Sequence, residues 1–446
     1  MRTRILSIWD GLRGSYWFVP TLMSLLTVLF SFVTLQLDHT LKEQTAALFG
    51  YTRGVDGARS LLSTVAGSVM TVAGVVFSIT VAALTLASSQ FGPRLLGNFM
   101  RDTGNQAVLG TFISTFLYCL LILRTINGQN SSEFVPHISV SFGVLFAIAS
   151  MGVLIYFIHH VASSIQADTV IARSSRELSK AIDHIFPEKI GEGEHPEDSE
   201  HPAKEAIPDN FEQTSGLVKV DKSGYIQAID SPTLLQLCCD HDLIVRLEVR
   251  PGDFIVRDSA ILRAWPEKHL DEDVHDKLKS IFIIGKQRTL PQDVEFAIQQ
   301  LVEIAVRALS PGINDPFTAV SCIDRLGEAL CNMADRKLPS DFRYDDENQL
   351  RVLTKSISHE RMTSLAFDQI RQAARTHSVV IIALLRTIGK VIERAHEAGF
   401  KQSLLAQAEM LERGSSEGLT EAYDRQKVSD CYKEILQIYL HTETPQ

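Results

Sequence analysis

A chain of 446 residues with a net charge of −10 and 45% hydrophobic residues has room for two or three domains. The acidic balance, with no polybasic cluster in the second half, excludes a general nucleic-acid binder, which needs a basic face to neutralise phosphates. The six cysteines (Cys119, Cys238, Cys239, Cys322, Cys331, Cys431) form no CxxC pair and have no histidine at zinc spacing. They read as reduced thiols of a cytoplasmic compartment rather than a disulfide framework.

The average composition hides a division near residue 160. Before it, four stretches reach the roughly 20 apolar residues that a bilayer core requires. These are 17–37, 61–88, 107–123 and 138–160, and none contains Asp, Glu, Lys or Arg. They define a transmembrane domain over residues 1–160. The first follows a basic start (Arg2, Arg4, Arg13) without a small-residue cleavage site and so reads as a retained anchor. Arg94 and Arg101 between the second and third spans, and Arg173, Arg176 and Lys180 after the fourth, place these flanks in the cytoplasm. Lys42, Arg53 and Arg59 between the first two spans weaken that bias. The expectation is a multi-pass protein of a bacterial inner membrane with both termini cytoplasmic.

The second span carries a polar seam. Thr64, Ser68, Thr71, Val75, Ser78, Ala82, Thr85 and Ser89 recur at alternating steps of four and three, which puts them on one helical face. Gly67 and Gly74 border it, and Ser24, Thr27, Ser31 and Thr34 form a weaker version in the first span. Two readings stand side by side. Small and hydroxyl residues let membrane helices pack closely, or hydroxyls line a water-filled path. The hydroxyls by themselves do not require water at the seam, because a helical hydroxyl can also bond its own backbone. The absence of an intramembrane charge argues against a proton-driven transporter. Gly92-Pro93 then breaks the helix, and residues 94–101 read as a short amphipathic elbow at the interface.

The fourth span is expected to continue as one helix through a 161–187 extension, on a stripe of Val161, Ile165, Leu178, Ile182 and Ile185. Residues 188–210 are acidic, bear Pro and Gly, and read as a linker in which His195 and His201 make no metal site. Period-two patterning from residue 216 predicts a small β-rich domain over 211–285. Its parts are a strand, a Lys-Ser-Gly turn and a second strand in GLVKVDKSGYIQAID, an inserted helix at 231–240, and further strands around a Pro-Gly-Asp turn and in SIFIIG. That Pro-Gly-Asp turn is similar to the tight turns of small barrels that carry biotin or lipoate. No lysine sits at the centre of a matching hairpin tip, so no cofactor is expected. Residues 286–446 read as mainly helical. A helix at 289–309 opens on a Thr289/Gln292 capping box, another follows at 316–334, and two more lie near 364–394 and 404–441.

Between the first two of these helices stands ALSPGINDPFTAV (308–320). Ser310 precedes a proline and is pushed out of the α region. Gly312 is free to take positive φ. Asp315 suits an N-cap, Pro316 a first helical position, and Asn314 a local backbone bond. The stretch is therefore a helix break, a ligand or partner loop of Ser310, Gly312, Asn314 and Asp315, or a catalytic loop. A Ser310 nucleophile would need a base from elsewhere, such as His241 or His275, and the stretch has too few carboxylates for a metal.

RALSPGINDPFTAVSCIDRL, with GKQRTLPQDVEFAIQQLVEIA, SGYIQAID and RPGDFIVRD before it and AFDQIRQAA after it, resembles a bacterial family of predicted membrane proteins with a domain of unknown function. The resemblance covers most of the chain. It implies an integral membrane protein with a large cytoplasmic region, and it assigns no functional residue. The combined expectation is an α-helical membrane protein with four transmembrane helices plus a cytoplasmic α+β region. Its function is read as an oligomeric, channel-like or passive transport protein, gated by its cytoplasmic domain, touching the lipid bilayer and passing an ion or small solute. The alternative is a membrane-anchored sensor or scaffold that binds a ligand or protein partner. With no nucleotide loop, zinc signature or paired acid and base, no enzyme activity is expected.

Overall fold

Four apolar helices, each long enough to cross a membrane, open the chain: α1 (Phe18–Thr40), α2 (Val55–Phe91), α3 (Thr103–Thr125) and α4 (His137–Ser164). They belong to a computed structural model that describes residues 15–41, 54–92, 102–126, 134–186, 207–290, 292–336, 338–355 and 357–443. The expected elbow at 94–101, the flanking Lys42, Arg53, Arg94 and Arg101, and the acidic linker up to residue 206 lie outside the described residues. The chain divides into two compact units, Met1–Thr169 and Val170–Gln446.

In the first unit α3 is the central helix. Half of its most apolar window is buried, against 22% in each of the others, and it packs on all three neighbours. Phe112, Tyr118 and Ile122 of α3 meet Leu62, Val69 and Val76 of α2 and Val140 and Phe157 of α4 in the interior. Leu25, Leu29 and Phe32 of α1 and Ile148, Met151 and Ile155 of α4 are exposed. In a membrane protein such faces contact lipid. The ends of the helices follow local chemistry. Asp102 caps α3 by accepting from the amides of Gly104 and Asn105. Gly92, with φ 109°, ends α2 in a conformation that favours glycine. At 37 residues α2 is about 55 Å long, well beyond the roughly 30 Å hydrocarbon core.

The single long helix expected from the fourth span is two. α4 stops at Ser164 and α5 (Ala167–Ile185) starts after a turn. The Ser164 hydroxyl donates to the Val161 carbonyl at 3.0 Å, and the Gln166 amide turns back to Ser163 O at 3.4 Å. These local bonds compete with continuation of the helix.

The second unit carries a short helix α6 (Phe211–Thr214), then β1 (Gly216–Lys219), β2 (Gly224–Ile229), α7 (Ser231–Asp240), β3 (Ile244–Leu247), β4 (Phe254–Ile255), β5 (Ala260–Trp265), α8 (Glu272–Ser280) and β6 (Phe282–Gly285). The strands either side of Lys-Ser-Gly form, but in different sheets. β1 pairs with β5, while β2 pairs with β4 and β6. Val218, Ile226, Val245, Leu262 and Phe282 share one core with Leu234 of α7 and Leu278 of α8.

The helical region holds α9 (Val294–Ala308), α10 (Pro316–Ala334), α11 (His359–Ala373), α12 (Ser378–Arg394), α13 (Ala398–Gly418) and α14 (Ala422–Glu443). It also donates two unexpected strands, β7 (Phe342–Tyr344) and β8 (Leu350–Leu353). They complete the sheet β1-β5-β3-β8-β7, with β8 parallel to β3. The β-rich and helical regions therefore share a sheet. The two helices expected at 364–394 and 404–441 are four, and their breaks abut. A Cβ on Gly418, at the end of α13, would lie 2.2 Å from the carbonyl of Arg375 in the turn between α11 and α12.

Candidate functional site

The seam of α2 turns away from its own unit. The buried residues of this helix include Leu62, Ala66, Val69, Ala73, Val76, Thr80 and Ala87. At 3.6 residues per turn these occupy the side opposite Thr64, Ser68, Thr71, Val75, Ser78, Ala82, Thr85 and Ser89, all of which are exposed. A Cβ added at Gly67 or Gly74 would meet nothing within 4 Å. Packing within the unit therefore does not account for the stripe.

The hydroxyls on this face are held locally. Thr64 donates to Ser60 O at 2.7 Å, and Thr71 to Gly67 O, Ser78 to Gly74 O and Thr85 to Val81 O at 2.9 Å each. Ser89 donates to Leu86 O at 2.8 Å. The proton of each of these five is committed to the helix backbone, which leaves their oxygen lone pairs as what they offer. The arrangement is an uncharged row of acceptors, suited to water or a cation rather than an anion.

The loop at 309–315 is a helix stop and start. The Ser310 hydroxyl donates to Arg307 O at 2.6 Å, the amides of Ile313 and Asn314 return to Ser310 O at 3.0 and 2.8 Å, and Asp315 N reaches Ala308 O at 2.8 Å. Asp315 caps α10, accepting from Thr318 N at 3.1 Å and from the Thr318 hydroxyl at 2.6 Å. These bonds hold its carboxyl below the ordinary aspartate range, against the effect of burial. Positive φ falls on Asn314 (48°), not on Gly312 as expected. Asn tolerates the left-handed region, so Gly312 is not needed there. Among the described residues neither His241 nor His275 bonds Ser310. The loop exposes Pro311, Gly312, Ile313 and Asn314, and Phe317, in the first turn of α10, is 75% exposed.

Two polar contacts of the first unit, one of them buried, join an aspartate just outside a span to residues of the fourth span. Asp38, 3% exposed near the end of α1, accepts from the amides of Ile138 and Ser139 at 2.8 and 2.9 Å and from the Ser139 hydroxyl at 2.6 Å. It thereby caps α4 from a different helix, where a carboxylate also suits the helix dipole. Beside it the Tyr118 hydroxyl donates to Ser139 O at 3.1 Å and lies 3.1 Å from the Thr34 hydroxyl. Separately, Asp102 contacts His160 at 3.0 Å, and the His160 ring stacks on Tyr156.

In the second unit the motifs that carried the family resemblance converge on a charge cluster. Arg288 grips Asp293 with two bonds of 2.7 Å and reaches Gln299 at 2.9 Å. Arg361 grips Glu295 at 2.6 and 2.9 Å, and Arg250 adds a contact to Glu295 at 2.9 Å. Asp293, not the expected Thr289/Gln292 box, caps α9 through Phe296 N at 2.9 Å. Thr289 and Gln292 bond the β2 backbone at Gln227 and Ile229 instead. Gly252 of the Pro-Gly-Asp turn has φ 94°, and a Cβ there would sit 2.3 Å from an Asp293 oxygen.

Burial pushes the Asp293 carboxyl above its ordinary value despite Arg288. Burial acts the same way on Glu295, but Arg361, Arg250 and Arg288 outweigh it and hold that group low. With each arginine matched to a carboxylate, the cluster is a clamp between the strands and the helices. Among the described residues no group of His, Cys, Asp and Glu is arranged to hold a metal ion.

Comparison with known proteins gives a family model, described as a predicted membrane protein (DUF2254), that matches residues 13–390. The uncharacterized protein Rv1290c of Mycobacterium tuberculosis (strain ATCC 25618 / H37Rv) is 30% identical over 434 residues, covering 96% of this chain and 81% of the relative. The uncharacterized protein Mb1321c of Mycobacterium bovis has the same identity and coverage. No solved structure matches.

Proposed function

The chain belongs to the family of predicted membrane proteins matched above, and we propose that it acts as a homo-oligomeric, channel-like passive transporter whose α2 helices face one another across the contact between copies. One observation carries the reading: the small and hydroxyl face of α2 lies opposite the helix's own packing face. A lipid-facing stripe has no need of seven small or hydroxyl residues at strict spacing, whereas close approach of a second helix does. The oxygen lone pairs along this face suit water or a cation as the solute. In this reading the protein sits in a bacterial inner membrane with both termini cytoplasmic, the second unit gates the path, and no chemical reaction is involved.

The test is flux. Full-length protein reconstituted in sealed vesicles is expected to pass a small monovalent cation, and Thr71→Leu or Ser78→Leu is expected to change that flux severalfold. Vesicles as tight as protein-free ones across a range of cations and voltages would refute the transport reading.

A second reading, a membrane-anchored sensor or scaffold, draws on Ile313 and Phe317, the large apolar side chains exposed at the α9–α10 junction. Its mark would be a partner protein recovered with the wild type and lost with Phe317→Ser.

A further inference from the structure

A cleft of about 430 Å³ opens in the second unit among α11, α12 and α13. This is the size of a small-ligand site, and none of its lining residues belongs to the α2 seam or to the Arg288–Asp293 clamp. Three arginines line it, Arg371, Arg375 and Arg413, against one carboxylate, Glu417.

Their roles differ. Arg371 is set in place. Its Nε donates to Gln407 Oε1 at 3.2 Å and its Nη2 to Asp368 Oδ1 at 3.2 Å, while the buried Gln407 donates to the same Asp368 oxygen at 2.8 Å. Those bonds use Nε and Nη2 and leave Nη1 for a ligand. Arg375 meets Glu417 at 3.1 Å, but both side chains are more than half exposed, so the pair is weak and easily traded for a better anion. Arg413 is exposed, and among the described residues no carboxylate lies within ion-pair distance of it. Beside the three guanidinium groups lie the buried side chains of Ile381 and Leu411, with Met410 next to them. The stretch AFDQIRQAA, which the transport reading leaves unused, supplies both Asp368 and Arg371.

We propose that this cleft binds a small organic phosphate, its phosphoryl group held by Arg371, Arg375 and Arg413 and its apolar or planar part resting on Ile381, Leu411 and Met410. The chemistry is specific on both counts. A guanidinium matches phosphate oxygens with paired donors, and an apolar wall beside the charges selects against a bare inorganic anion. A soluble nucleotide-like molecule and a lipid headgroup with part of its chains both satisfy this description.

The test uses the full chain in detergent, titrated calorimetrically with inorganic phosphate, ADP and short-chain phosphatidic acid. ADP or the phosphatidic acid is expected to bind at least tenfold more tightly than inorganic phosphate, and which of the two does so identifies the source. Arg413→Glu, an exposed position that leaves the fold intact, is expected to weaken that binding at least tenfold. Arg371→Lys keeps the charge and loses the fork, and should weaken it severalfold. The proposal is overturned if none of the probes binds below 10 mM, if inorganic phosphate binds as tightly as the organic phosphates, or if Arg413→Glu binds like the wild type.

Discussion

The outer face of α2 and the second unit satisfy their polar groups in opposite ways. Along α2 the hydroxyls of Thr64, Thr71, Ser78 and Thr85 each bond the carbonyl four residues earlier. In the second unit Arg361 reaches Glu295 across 66 residues of sequence, Arg351 reaches Asp242 across 109, and Gln292 bonds Ile229 across 63. The difference follows from the surroundings. A helix in hydrocarbon must close its polar groups at hand, since lipid offers no partner. A water-exposed unit built from short strands and several helices uses charged side chains to fix which pieces meet. Local closure leaves the outer face of α2 uncommitted, while the long-range bonds of the second unit are committed to the fold.

The comparison sharpens into expected effects. The largest belongs to the clamp. Asp293→Ala strands the guanidinium of Arg288 and removes the cap of α9, a loss of about 3–5 kcal/mol of the kind seen when one partner of a buried pair is deleted. A denaturant melt of the full chain reporting on the second unit reads it directly. At the α9–α10 junction Asp315→Ala removes only a cap and should cost about 1 kcal/mol by the same measurement.

The second unit should also respond to pH through His359. This ring is stacked on Phe400 at 4.3 Å and sits 2.7 Å from Glu397. Burial lowers its pKa, and Glu397 only partly offsets that. A histidine lowered in the folded state binds its proton more readily when unfolded. Its contribution is therefore present above the ordinary value of about 6.5 and is lost as pH falls through the folded value. His359→Leu should flatten the stability–pH curve in the interval just below neutrality. An unchanged slope would show that the ring titrates as if exposed.

The smallest effect is predicted for the seam. Thr71→Ala and Ser78→Ala each remove a hydroxyl bonded only to its own helix, so monomer stability should change by about 0.5 kcal/mol or less. A loss as large as that at Asp293 would erase the contrast between the units.

Much of this was legible in the residues. The four spans needed only apolar length without charge, and the seam needed only its four–three spacing, because a regular helix converts spacing into a face. What spacing could not supply was which way that face points. That is set by Leu62, Val69 and Val76 packing on α3, contacts made with residues far along the chain. The same limit hid the clamp. Arg288, Asp293 and Glu295 share one motif, but Arg250 belongs to another and Arg361 to none, and only the fold brings those two to Glu295. At 309–315 Ser310, Asp315 and Pro316 marked a helix stop and start, but the left-handed conformation falls on Asn314 rather than on Gly312, which was only free to adopt it. Asp38 escaped notice because it sits just past the first span, and its partner amides lie 100 residues later.

The most direct test of the central claim is a cysteine scan of α2 in native membranes. Cysteine at Thr71 or Ser78, on the outward seam, is compared with cysteine at Phe77, which is also exposed but off the seam. If α2 faces its copies across a wet contact, the seam cysteines form inter-subunit disulfides on mild oxidation and react with a membrane-impermeant thiol reagent, while Phe77→Cys does neither. Equal behaviour at all three positions, or no cross-linked dimer from either seam position, would contradict the account.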